Sequence, residues 1–184
     1  MEFNVAQLLR QPTGTIKHYQ VNQPSEIGDP ALRLEGPTHG TVDLLRTQRG
    51  ILVTAHLHQT ARVECVRCLS DVRTSLEVHI EEEFVPSIDL KTGAHLDWGP
   101  EDDVEDSQII NERHILDLHE VVRQELILAL PAHPLCKTDC AGLCPICGAD
   151  RNTESCGCDV TDLDPRWSAL SRLKEEIQAR ELAS

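Results

Sequence analysis

Six thiols fall within residues 136–158 of this 184-residue chain, at Cys136, Cys140, Cys144, Cys147, Cys156 and Cys158, and two more stand at Cys65 and Cys68. Thiolates at such spacing can cross-link as disulfides, exchange electrons, or ligate soft and borderline metal ions. Disulfide scaffolds belong to short secreted chains, and Met1 to Arg10 carry no basic stretch leading into an apolar run. Metal is therefore the expected use of the cysteines, in a cytoplasmic protein. The most specific element is Cys144-Pro-Ile-Cys147-Gly148, which has the form of a zinc knuckle. Two intervening residues let both sulfurs reach one ion, and a glycine after the second lets the backbone turn so that amide N–H groups face the thiolates.

A tetrahedral ion needs a second pair, and Cys156 with Cys158 is the nearest in sequence. The expected first site is Cys144, Cys147, Cys156 and Cys158. Cys136 and Cys140 then remain, and can close a possible second site with Cys65 and Cys68, giving one or two zinc ions per chain. Four sulfurs leave no open position for a substrate, so the metal is read as structural rather than catalytic. Iron uses the same thiolates, and residue type does not decide between the metals. Cys65 and Cys68 alone could form a redox pair, but such pairs open a helix in a βαβ setting, and the flanking residues here read as antiparallel strand. His133, three residues before Cys136, is a substitute-ligand candidate. His56 and His58 share one face of a strand and read as an exposed sheet face.

No Ser/His/Asp set, glycine-rich phosphate loop or paired carboxylate in an apolar setting stands out, so the chain is read as a non-enzyme without a small-molecule substrate. The formal charge of −14 opposes binding of nucleic acid. Much of that acidity is concentrated in Glu81, Glu82, Glu83, Asp97, Glu101, Asp102, Asp103, Glu105 and Asp106, which reads as a solvated segment. The cations left to meet RNA or an acidic partner are Arg46, Arg49, Arg62, Arg67 and Arg73. With two Phe, one Tyr and two Trp in the whole chain, a platform for stacking several bases is hard to build.

The elements that must position these residues follow from periodicity. Val42–Thr47 and Ile51–His58 flank Gln48, Arg49 and Gly50, a hairpin in which Gly50 is expected at positive φ. Thr60–Cys65 and Val72–Ile80 continue the sheet, the latter alternating Val72, Thr74, Leu76, Val78 and Ile80 on one face. Apolar residues at Ile115, Leu118, Val122 and Ile127 have helical spacing and end at Pro131, with Asp117 and Glu120 spaced like a capping box. A second helix is expected from Asp164 and Pro165, with Trp167, Leu170, Leu173 and Ile177 along a stripe that packs on the sheet. No run is long and apolar enough to span a membrane.

Several segments together resemble the YceD family, also called large ribosomal RNA subunit accumulation proteins. They are Val63-Glu-Cys-Val-Arg-Cys-Leu69, Glu81-Glu-Glu-Phe84, Ile115-Leu-Asp-Leu118 leading into Gln124-Glu-Leu-Ile-Leu-Ala-Leu-Pro131, Cys140-Ala-Gly-Leu-Cys-Pro-Ile-Cys-Gly148 and Asp164-Pro-Arg-Trp-Ser-Ala-Leu170. The resemblance implies a non-catalytic role in making or preserving 23S ribosomal RNA, with pre-23S RNA or a large-subunit assembly intermediate as partner, directly or through another protein. A zinc-stabilised adaptor that binds only protein is the alternative. The expected architecture is one α+β domain over residues 1–184: an antiparallel sheet packed against two helices, with a cysteine-rich zinc knuckle between the helices. Its parts are 1–90 mainly β, 91–108 an acidic mobile loop, 109–131 a helix, 132–160 the zinc-binding knuckle and 163–182 the C-terminal helix.

Overall fold

Alternation along Ile51–Glu64 sets the centre of the fold. Ile51, Val53, Ala55, Leu57 and Ala61 point into the core, while His56 and His58 between them are exposed. The computed structural model describes residues 1–25, 27–29, 32–99, 102, 104–158 and 170. Its elements are β1 (Glu2–Asn4), α1 (Ala6–Leu9), β2 (Ile16–Pro24), β3 (Arg33–Arg46), β4 (Ile51–Glu64), β5 (Asp71–Pro86), β6 (Ile109–Ile110), β7 (Ile115–Asp117) and α2 (His119–Leu128), with a 3-10 turn at Asp106–Gln108. The chain divides into two compact units. One comprises Met1–Cys65 and Ser70–Cys136; the other comprises Val66–Leu69 and Lys137–Ser184.

The first unit is a five-stranded sheet in the order β2-β3-β4-β5-β6, with β1 and β7 forming a separate antiparallel pair. The first four strands are antiparallel, as their sequence order and alternation imply. Strand β6 departs from that expectation, running parallel to β5 through Val85↔Ile109 and Pro86↔Ile110. The stretches expected as separate strands, Ile51–His58 and Thr60–Cys65, are one continuous strand, because Gln59 keeps the inward phase. Its amide is buried yet satisfied: it accepts from the Thr38 hydroxyl at 2.8 Å and donates to the Glu35 carbonyl at 3.2 Å, beside the register shift between Glu35 and His39. Burying a partnered amide in this way avoids the desolvation cost of about 1–3 kcal/mol for an orphaned group.

Leu44, Ile80, Leu76 and Phe84 from the sheet meet Val121, Val122 and Leu126 of α2 and Leu8 of α1 in one apolar cluster. Each fully buried Leu or Phe contributes on the order of 1.5–3 kcal/mol by removing apolar surface from water. Gly50 has a different reason to be glycine than the turn. Its φ is not positive. A Cβ placed there would lie 1.9 Å from the carbonyl oxygen of Phe84, so it is the close approach of the β3–β4 connection to β5 that excludes a side chain.

The helix expected over 109–131 is shorter. Residues Ile115–Asp117 are a strand, pairing with Glu2–Asn4, and α2 begins only at His119. Helical spacing of apolar residues was outcompeted there by backbone pairing with the chain's first strand, a partner no local window contains. Leu118 is the N-cap and provides no side-chain bond, so the expected Asp117–Glu120 capping box does not form; Asp117 Oδ1 instead accepts from the His119 amide at 2.9 Å. Glu120 turns to Arg123, whose guanidinium bonds it in bidentate fashion at 2.9 and 2.6 Å and reaches Asp29 at 2.8 Å. These bonds hold the Glu120 carboxyl down to about 2.

The described residues of the segment 91–108, expected as a mobile loop, make contacts with the sheet. The Trp98 indole donates to the Pro86 carbonyl at 2.9 Å, Arg49 lies 5.4 Å above its ring, and Ile88 bridges His95. The C-terminal helix expected over 163–182 lies outside the described residues except for Leu170, which is helical and exposed. Among the described residues no helix is long and apolar enough to cross a membrane.

Candidate metal centres

Two cysteine knuckles share one backbone design. In Cys144-Pro-Ile-Cys147-Gly148 the amide of Cys144 donates to the carbonyl of Ala149 at 2.8 Å, and Gly148 adopts φ +75°. In Cys65-Val-Arg-Cys68-Leu69 the amide of Cys65 donates to the carbonyl of Ser70 at 2.9 Å, and Leu69 adopts φ +60°. The residue after the second cysteine is left-handed in both. Glycine takes that conformation freely; leucine pays about 1–2 kcal/mol. That the turn forms at Leu69 regardless means its surroundings hold it in place.

Gly148 closes the knuckle turn, its amide donating to the Cys144 carbonyl at 2.8 Å. Within that turn the Cys147 and Ile146 amides bond the Cys144 sulfur, and these bonds hold the Cys144 thiol down to about 6. Nothing lies within 4 Å of a Cβ at Gly148, so Gly148→Ala adds only backbone strain. We expect it to weaken metal binding at that knuckle by roughly fivefold to thirtyfold, the equivalent of about 1–2 kcal/mol. A competitive chelator titration measures this; unchanged affinity would mean that the left-handed turn is not needed for ligation.

The sulfurs gather into two groups. Cys144, Cys147, Cys156 and Cys158 form one, and Cys65, Cys68, Cys136 and Cys140 the other, with the ligand atoms of each group all within 4.8 Å of one another. These are the same two sets of four that spacing suggests. A tetrahedron of sulfurs with metal–sulfur bonds of about 2.3 Å has edges of roughly 3.8 Å, so each group can close on a single ion with small side-chain adjustments. His133 joins neither group among the described residues.

The donor chemistry calls for a cation. Within the first group, bonding from Cys147, burial and the nearness of Cys144 push the Cys158 thiol up to about 12, and Cys156 is raised as well despite a bond from the Cys158 amide. Four thiolates cannot crowd together without a compensating positive charge, and a divalent ion supplies it by displacing the protons. In the second group Cys65, Cys68 and Cys140 are buried, which keeps solvent from competing for an ion.

Asn152 is a supporting residue that spacing alone did not single out. It lies in the loop between Cys147 and Cys156, yet its Nδ2 donates to the Cys140 sulfur at 3.4 Å and its Oδ1 accepts from the Ala141 amide at 2.9 Å. One residue of the first knuckle loop thereby orients a cysteine of the second group, the kind of outer-shell bond that tunes ligand basicity. The only sequence clue was an amide side chain amid thiols.

The arginines picked out as RNA contacts all have partners within the chain. Arg46 donates to the carbonyls of Leu9 and Gly50 at 3.1 and 2.8 Å, and Arg49 to that of Asp102 at 3.3 Å. Arg62 pairs with Glu35 and, at 3.4 Å, with Asp71, and Arg73 lies 2.8 Å from Glu35. Arg67 donates to the Cys140 carbonyl at 2.8 Å. The structure does not gather these five into one unpaired patch.

A family model described as the large ribosomal RNA subunit accumulation protein YceD matches residues 53–174, a span that contains all eight cysteines. An uncharacterized protein of Mycobacterium tuberculosis is 31% identical over 173 residues, covering 92% of this chain and 79% of its own. One of Mycobacterium leprae is 29% identical over 174 residues, covering 92% and 75%. A chloroplastic homologue of the large ribosomal RNA subunit accumulation protein from Arabidopsis thaliana is 23% identical over 168 residues, covering 79% of this chain and 51% of its own. No solved structure matches the chain.

Proposed function

Because the chain belongs to the YceD family, we propose that it is a non-enzymatic cytoplasmic factor that supports accumulation of 23S ribosomal RNA during assembly of the large ribosomal subunit, with zinc as a structural cofactor in both thiol groups. The match over residues 53–174 carries this reading. The family is described by an effect on ribosomal RNA and not by a reaction. Two complete four-thiol sets agree with that, since a closed site stabilises a fold but leaves no coordination position for a substrate. The knuckle form, in which a short turn supplies a pair of sulfurs to one ion, suits a singly held zinc or iron, and zinc is the ion proposed.

A second reading has its own support. All five candidate arginines are engaged within the chain, and the net charge is −14, so a protein of the assembling particle is a plausible recipient in place of bare RNA. Sedimentation of large-subunit precursors with and without ribonuclease distinguishes the two. The chain is expected to travel with the precursors; release by ribonuclease supports RNA contact, and retention on a protein fraction supports the adaptor. Failure to travel with precursors in either case would sink the ribosomal assignment.

A further inference from the structure

The exposed face of the sheet concentrates imidazoles in a way the thiol sites do not use. Cross-strand register places Asn22, His39, His58 and Glu77 in one row, Gln20, Thr41, His56 and His79 in the next, and His18, Asp43, Thr54 and Glu81 in the third. The four central histidines are exposed, and every one of them lies on the side opposite the core. They pair in two contacts. The rings of His39 and His58 stack with centroids 5.6 Å apart, and those of His56 and His79 with centroids 4.3 Å apart.

The second contact has the nitrogen spacing of a chelate, with the ring planes 29° apart. The Nδ1 atoms of His56 and His79 are 3.2 Å apart. Two imidazole nitrogens bound to one ion at about 2.0–2.1 Å, with an angle between roughly 90° and 109°, stand about 2.9–3.3 Å apart. The spacing needed for ligation is thus already set by the β4–β5 register, and only the ring tilt has to adjust. The bland reading is a hydrogen bond between neutral rings, in which one Nδ1 carries the proton. Binding an ion instead requires both rings to hold their proton on Nε2 and present a lone pair at Nδ1, a tautomer shift with no net release of protons.

The surroundings favour a cation. Glu77 and Glu81 flank His79 at two residues' distance on the same face of β5, and Asp43 stands in the adjoining row on β3. The Glu77 carboxylate lies 3.8 Å from His58 Nδ1, and the Asp43 carboxylate accepts from His18 Nδ1 at 2.7 Å. No Lys or Arg occupies these three rows, so no fixed positive side chain within them opposes an incoming ion. We propose that His56 and His79 form a surface site for a borderline divalent transition metal, with imidazole ligands from two strands and water or a flanking carboxylate completing the shell. Imidazole suits zinc, nickel and copper, and affinity within such a site rises toward nickel and copper. The site is separate from the thiol groups in ligand type and in accessibility.

The test uses the full chain with its thiol groups already filled with zinc, and Ni²⁺ alone as the probe, followed by calorimetry with zinc content measured in parallel. Near neutral pH we expect one Ni²⁺ to bind without loss of zinc. His56→Gln and His79→Gln should each weaken Ni²⁺ binding by about tenfold or more, while the exposed His95→Gln leaves it unchanged. Both target side chains are exposed, so the variants should fold; circular dichroism and an unchanged zinc content verify that. No binding by the parent chain up to about 1 mM Ni²⁺, or binding by either variant as tight as the parent's, overturns the proposal.

Discussion

Replacing Cys147 by serine is expected to take the protein from two bound zinc ions to one. The substitution leaves Cys144, Cys156 and Cys158 as an incomplete set, while the group of Cys65, Cys68, Cys136 and Cys140 keeps all of its sulfurs. Apparent binding free energies for structural zinc are on the order of 10–16 kcal/mol near neutral pH, so an incomplete site loses far more than a point change in a core usually costs. The effect should stay local. The apolar cluster that holds the sheet is built from residues between Phe3 and Leu126, none of them within the Cys144–Cys158 knuckle. Metal analysis with far-ultraviolet circular dichroism checks both halves: one zinc per chain, with the strand signal kept. Protein purified anaerobically without chelators and found free of zinc would end the zinc assignment, and a brown chromophore would replace it with iron–sulfur ligation.

The second large effect is expected in the cell. Deleting the protein should lower mature 23S relative to 16S ribosomal RNA and deplete large subunits, with no single metabolic reaction lost. The reason is the family match over residues 53–174. Quantifying the two ribosomal RNAs and the subunit profile provides the check. Normal ratios and normal profiles in the deletion strain would refute the ribosomal role and leave a zinc-stabilised adaptor for other proteins. Charge reversal at Arg62 is a poor probe of RNA contact in this experiment. A glutamate there would face Glu35 and Asp71, so any loss could come from like-charge repulsion within the sheet.

The grouping of the thiols has a local cause. Two residues between Cys144 and Cys147, and two between Cys65 and Cys68, restrict each pair to one ion whatever the rest of the chain does, and a count of eight thiols allows two sets of four. Strand alternation along Val72–Ile80 likewise reports a buried face, because side-chain direction has a period of two in any sheet. Leu76, Val78 and Ile80 are buried as that period requires, and the antiparallel order of β2 to β5 follows from short connections.

What the sequence could not decide were interactions between residues far apart in the chain. Ile115–Asp117 has a helical pattern and nonetheless becomes a strand, because Glu2–Asn4 supplies hydrogen-bonding partners more than a hundred residues away. Gly50 looked like a turn glycine and is instead a point of close approach to Phe84. The arginines looked available because their charge is visible in the sequence while the carboxylates and carbonyls that engage them are not; Arg62 meets Glu35 only once β3 and β4 are in register. The His56–His79 pair has the same origin. Nothing in a 23-residue separation brings two imidazoles together, but the β4–β5 register sets them opposite each other and their nitrogens 3.2 Å apart. Residue type and short spacing therefore determined which chemistry the chain can perform at its thiols, whereas strand register, a property of the folded sheet, decided which polar side chains are already paired and which pair of histidines stands ready for an ion.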